Sequence, residues 1–247
     1  MPFGTGSVVS LEIEGRTYRA HWTLPERNAE ALIVLAHGFA RSCANLRGTS
    51  LRLMQAGFAV LCIDAPMAQG NPVLAEALAR VLIVMREPGG QALPGRVIVA
   101  GHSAGAAFAA TLGATLAEIA PERLAGALLF DPVATDRFEA DLRAVSASVR
   151  RPVLAVLAQP HRCNAQSSAL PALLRLRQGF AGVRLAEGST HADVEGEDSD
   201  WLAESACGKP LPANTARLRG IAVRWARDII DGTRPASAPE PGADAIE

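Results

Sequence analysis

Arg96-Val97-Ile98-Val99-Ala100, then Gly101-His102-Ser103-Ala104-Gly105, then Ala106-Ala107-Phe108-Ala109-Ala110-Thr111-Leu112 is the stretch that decides how this chain reads. A short apolar run enters it and a run of small residues leaves it. The pattern is strand, sharp turn, helix, with Ser103 at the apex of the turn. A turn that tight holds its apex residue in a strained backbone conformation and leaves the hydroxyl exposed. Side chains two residues before and after the serine would collide with strand and helix, which accounts for Gly101 and Gly105.

Working outward, apolar runs alternate with helical patterns. Residues 8–14 and 17–23 alternate apolar and polar around Gly15-Arg16 and read as an antiparallel hairpin. Ala31-Leu32-Ile33-Val34-Leu35-Ala36 is a continuous apolar run, as expected of a strand buried on both faces. Phe58-Ala59-Val60-Leu61-Cys62-Ile63 is another, and further strands are expected over 124–130, 152–158 and 183–186. Helices are expected over 45–55, 73–86, from the elbow to about 119, to about 146 from a Thr135 cap, over 168–177, and to about 230 from an Asn214 cap. In the last of these, Leu218, Ile221, Ala222, Trp225 and Ile229 share one helical face, which reads as packing.

This order implies an α/β fold with a mostly parallel, eight-stranded sheet and helices on both faces. Residues 1–232 form one domain. Residues 233–247 are rich in Pro, Ala, Gly and acid, and are expected to be a disordered tail. No repeat and no second domain is visible.

Composition narrows the function. Of 247 residues, 49% are apolar, enough for a large core, and the formal net charge is −1. Without a basic excess to neutralise phosphates, nucleic acid is not an expected partner. No apolar run is long enough to span a bilayer. Met1-Pro2-Phe3-Gly4-Thr5-Gly6 lacks the basic-then-apolar order of a signal peptide. The chain as given reads as cytoplasmic, with secretion left open through a removed leader. The four cysteines, Cys43, Cys62, Cys163 and Cys207, form no C-x-x-C pair, so no metal is expected. Cys62 reads as a buried small hydrophobe. Cys163 and Cys207 pair if the protein is exported and stay free thiols otherwise. No dinucleotide fingerprint follows the first buried strand, and no cofactor is expected.

Ligands of such sheets bind at the carboxyl ends of strands. Four chemically suggestive groups fall just there: His37-Gly38-Phe39, Ser103, Asp131 and His191. The order serine, acid, histidine and the G-x-S-x-G elbow resemble the α/β-hydrolase fold over residues 8–232. The resemblance implies that Ser103 is the nucleophile and His191, alone of five histidines in following the last strand, its base. Many members carry the acid after the strand read at 152–158. Here the loop is Gln159-Pro160-His161-Arg162-Cys163-Asn164, without a carboxylate. Phe130-Asp131-Pro132-Val133 instead resembles the Asp-Pro-Val segment of chlorophyllase-like hydrolases, as does His191-Ala192-Asp193-Val194-Glu195 their acid-followed histidine. Asp131 is therefore chosen as the acid and Asp193 is the fallback, while Asp64 has the placement of a turn residue. The oxyanion hole implied is the backbone N–H of Ala104 with that of Phe39, Ala40 being the alternative.

About twenty residues after Asp131 fit one short helix, so no cap domain is expected and the site should be open. The resemblance implies a carboxylic-ester hydrolase akin to chlorophyllase-like and polyester-hydrolase-like enzymes, acting on small or polymeric esters. A peptidase or thioesterase of the same fold uses the same triad, and a noncatalytic binding protein keeping the fold is the rival from another class. A haloalkane dehalogenase is disfavoured because its elbow carries a carboxylate.

Overall fold

The computed structural model describes residues 5–148, 150–233 and 243–246. Among the described residues, nine strands form one sheet. In chain order they are β1 (Thr5–Ile13), β2 (Arg16–Leu24), β3 (Leu32–Ala36), β4 (Ala59–Asp64), β5 (Val97–His102), β6 (Leu124–Phe130), β7 (Val153–Leu157), β8 (Phe180–Leu185) and β9 (Ala243–Ile246). Across the sheet the order is β1-β2-β4-β3-β5-β6-β7-β8-β9. The six strands from β4 to β8 run parallel, while β2 pairs antiparallel with both β4 and β1 at one edge and β9 pairs antiparallel with β8 at the other.

The apolar runs become central strands because both faces of the sheet are covered. Side chains alternate between two cores. Leu32, Val34 and Ala36 of β3 enter one with Val97 and Val99 of β5. Ile33 and Leu35 enter the other with Ile98 and Ala100. The first core is closed by α2 (Pro72–Val84), α3 (Ala104–Ile119) and α4 (Phe138–Val145). The second is closed by α1 (Arg47–Gln55) and α7 (Pro212–Asp231), whose Leu218, Ile221, Trp225 and Ile229 are buried as their spacing requires.

Several expectations need correction. Among the described residues the sheet has nine strands where eight were expected, because Ala243–Ile246 pairs with β8. The tail expectation otherwise falls on 234–242 and 247, outside the described residues. Cys62 is bonded to Cys43, and Cys163 to Cys207. Asp64 holds a defined position, accepting hydrogen bonds from the Cys43 N–H (2.8 Å) and from His21 Nε2 (2.8 Å). The last helix begins at Pro212 after Leu211, so Asn214 lies buried inside it and does not cap it. Thr135 sits ahead of α4 and accepts from the Phe138 N–H through its carbonyl. Between β6 and β7, α4 is the one helix among the described residues, in keeping with a fold without a cap domain. Two more helices, α5 (Leu170–Leu174) and α6 (Trp201–Cys207), lie in the loops after β7 and β8. The second was not expected from the sequence, and it matters for the site.

Candidate active site

The strand order reverses on either side of β3, which puts the carboxyl ends of β3, β5 and β6 around one crevice. Ser103 sits between β5 and α3 with φ 56° and ψ −123°, a region nearly confined to glycine. The reason for its two glycines is visible. A Cβ at Gly101 would run into the Gly105 carbonyl, and one at Gly105 into the His37 carbonyl. Gly38 also brings the loop after β3 close, since a Cβ there would lie 3.2 Å from that of Ser103. The Ser103 N–H donates to the Phe130 carbonyl (3.1 Å), and the Val133 N–H donates to the Ser103 carbonyl (3.2 Å). The elbow is thus fastened to the end of β6, which carries Asp131. Since the backbone at Ser103 costs about 1–3 kcal/mol to hold, Ser103→Gly should raise the denaturation midpoint. An unchanged or lowered midpoint would mean that the strain is not where the dihedrals place it.

Asp131 and His191 are both buried and meet through a 2.5 Å hydrogen bond from His191 Nδ1 to Asp131 Oδ2. Asp131 Oδ1 also accepts the Ala158 N–H at 3.0 Å. Asp193, the fallback acid, turns elsewhere. Its two oxygens accept the N–H groups of Thr190 and Leu211, each at 2.8 Å, so it holds the histidine loop against the start of α7.

Ser103 and His191 line one cavity of about 360 Å³, mostly apolar, with Phe39 and Ala40 on one side and Leu202 and Ala206 of α6 on the other. The Cys163–Cys207 disulfide pins the end of α6 to the loop after β7 and is itself part of the wall. The site is therefore less open than the absence of a cap suggested. Phe39, 66% exposed, also borders a second cavity of about 420 Å³ reaching Asp64 and Met67. Ala104 is the first residue of α3, where an N–H has no partner within the helix.

Two further groups build the crevice and were not singled out from the sequence. Arg41 makes a bidentate pair with Glu195 (2.8 and 2.6 Å) and a third bond to Asp200 (2.8 Å). It ties the loop bearing Phe39 to the loop bearing His191. Burial pushes the Glu195 carboxyl up, and Arg41 opposes that. His102 packs beneath the His191 ring, centroids 4.5 Å apart. Its Nε2 must carry the hydrogen, because it bonds the His191 carbonyl at 2.9 Å. Its Nδ1 is buried without a hydrogen-bond partner.

Burial, and then the neighbouring His191, hold His102 well below its ordinary value of 6.5, and burial lowers His37 as well. A histidine depressed in the folded state contributes stability that is present above the unfolded value and lost as pH falls below it. The melting temperature should therefore begin to fall below pH 6.5, with a shallower fall in His102→Gln, which keeps a donor for the His191 carbonyl. The raised Asp193 and Glu195 act with the opposite sign, closer to the carboxylate range. A melting temperature flat from pH 7 to about 5 would refute the buried neutral His102.

Among known proteins, a family model described as the alpha/beta hydrolase family matches residues 33–241. No curated protein sequence matches the chain. Among solved structures, it resembles a dienelactone hydrolase from Anabaena variabilis, with a TM-score of 0.65 at 18% identity over 91% of this chain and 97% of that one. An esterase domain from Rhodothermus marinus gives 0.65 at 19%, over 92% and 100%. A fungal esterase from Rhizomucor miehei gives 0.65 at 15%, over 93% and 85%. At these identities the likeness shows the fold. No helix among the described residues is long and apolar enough to cross a membrane.

Proposed function

Since the chain belongs to the alpha/beta hydrolase family, we propose that it is a serine hydrolase of carboxylic esters working through an acyl-enzyme on Ser103. One observation carries the reading. A serine on a strained elbow shares a cavity with a histidine whose far nitrogen is paired to a buried aspartate.

In the proposed reaction the Ser103 Oγ attacks the ester carbonyl carbon while His191 Nε2 takes its proton. The Asp131 carboxylate holds the other hydrogen on Nδ1 and stabilises the imidazolium. The carbonyl electrons move to oxygen, facing the N–H of Ala104 and that of Phe39. Ala104 opens α3, so the positive end of the helix adds to this stabilisation. Collapse restores the carbonyl and expels the alkoxide, which leaves as alcohol with the proton from His191. Water then repeats the sequence and releases the acid. The apolar cavity against α6 suits an apolar arm of the ester, and the second cavity beyond Phe39 suits the other arm.

Peptidases and thioesterases share this triad, so substrate screening separates them. Turnover of short p-nitrophenyl esters well above that of aminoacyl amides and acyl-thioesters is the expected result. Preference for either of the latter would change the substrate class while leaving Ser103 in place.

A further inference from the structure

Asn164 lies in the loop after β7, the loop that carries no acid. It is fully buried. Its Nδ2 donates to both oxygens of Asp131 at 3.1 Å and to the Gln159 carbonyl at 2.9 Å. Its Oδ1 accepts the N–H groups of His161 (2.8 Å) and Ser167 (2.9 Å). Two backbone donors on Oδ1 fix which way the amide points. A flipped amide would set its NH₂ against two N–H groups and its oxygen against the Asp131 carboxylate. With one hydrogen on Gln159, the other is shared between the two carboxylate oxygens.

We propose that Asn164 is a positioning residue for the reaction: its amide clamps the Asp131 carboxylate in the orientation that holds His191. The proposal rests on the reading of Ser103, His191 and Asp131 given above. The clamp does two things. It fixes the carboxylate plane, which Ala158 reaches from a single side. It also takes up part of the carboxylate charge, so that Asp131 draws less strongly on the His191 proton. The neighbouring Cys163–Cys207 bond anchors the turn that carries the clamp.

Asn164→Asp separates positioning from loop support. It keeps the oxygen that serves His161 and Ser167, and replaces the donor with an acceptor facing Asp131. The expected result is a fall in kcat of about 10–100-fold, the size seen when outer partners of functional groups are lost, with KM nearly unchanged. The acid limb of kcat/KM should also move to higher pH, because added negative charge favours protonated His191. If Asn164→Asp does not fold, Asn164→Ser is read instead. It is neutral and too short to reach Asp131, so a limb shift of the same sign is expected. The parent is labelled with a fluorophosphonate in parallel. An adduct on Ser103 of the parent, with parental kcat and an unmoved limb in the folded variant, overturns the clamp alone. A folded parent without adduct or ester turnover overturns the catalytic reading, and the clamp with it.

Discussion

Ester turnover is expected to fall by about 10⁴–10⁶-fold in Ser103→Ala, while the protein stays folded. Removing the Oγ removes the only atom that forms a covalent bond to the substrate in the proposed scheme. What survives is stabilisation by the backbone donors and binding in the cavity, worth the residual rate over water. The fold should tolerate the change. Ser103 is held by backbone hydrogen bonds, from its N–H to Phe130 and from the N–H groups of Ala106 and Val133 to its carbonyl, and alanine keeps all three. Alanine also carries the same Cβ, which already sits against Gly38. Intact-mass spectrometry after fluorophosphonate treatment checks the chemistry directly. One adduct on the parent and none on Ser103→Ala is the expected pair of spectra. Adducts on both, or esterase activity retained by the variant, would place the nucleophile elsewhere.

The parallel strands were legible in the sequence because a strand covered on both faces must be apolar, and β3 and β6 are so throughout, β4 and β5 up to their terminal Asp64 and His102. The elbow was legible because steric exclusion leaves only glycine at positions 101 and 105. Asp131 and His191 were reached from their placement at strand ends together with the family resemblance, and the structure brings them within hydrogen-bonding distance. Where the sequence was silent, the physics is long-range. Arg41 meets Glu195 across 154 residues, and nothing local marks either as a partner of the other. Asn164 looks like any loop asparagine until Asp131 is seen beside it. Helix α6 is short, and its Trp201 and Leu202 are exposed, so it shows no buried face to read as periodicity. Strand β9 is four residues held by backbone pairing to β8, which leaves no compositional trace in a tail of small and acidic residues.

Asp131→Asn should lower kcat by about 10⁴-fold, as loss of the orienting carboxylate does in such triads, and Asp193→Asn should cost far less. Both aspartates are buried and close to His191 in space or sequence, so the distinction rests on what their oxygens accept. Asp131 takes His191 Nδ1–H on one oxygen and the Ala158 N–H on the other. An asparagine there must keep its carbonyl oxygen toward Ala158, so its NH₂ faces the imidazole. That donor forces Nδ1 to become the acceptor and moves the ring hydrogen to Nε2, the nitrogen that must take the Ser103 proton. The protein folds, yet its base is in the wrong tautomer. Asp193 instead receives Thr190 and Leu211, two backbone donors with no contact to the imidazole edge. Its amide variant sets an NH₂ against one of them, which loosens the loop and lowers the melting temperature while leaving the Asp131–His191 bond intact. Steady-state kinetics with thermal melts on the two variants compare these outcomes directly. A large kcat loss in Asp193→Asn with near-parental turnover in Asp131→Asn would move the acid into the histidine loop. Equal losses with equal destabilisation would mean that both act only by supporting that loop.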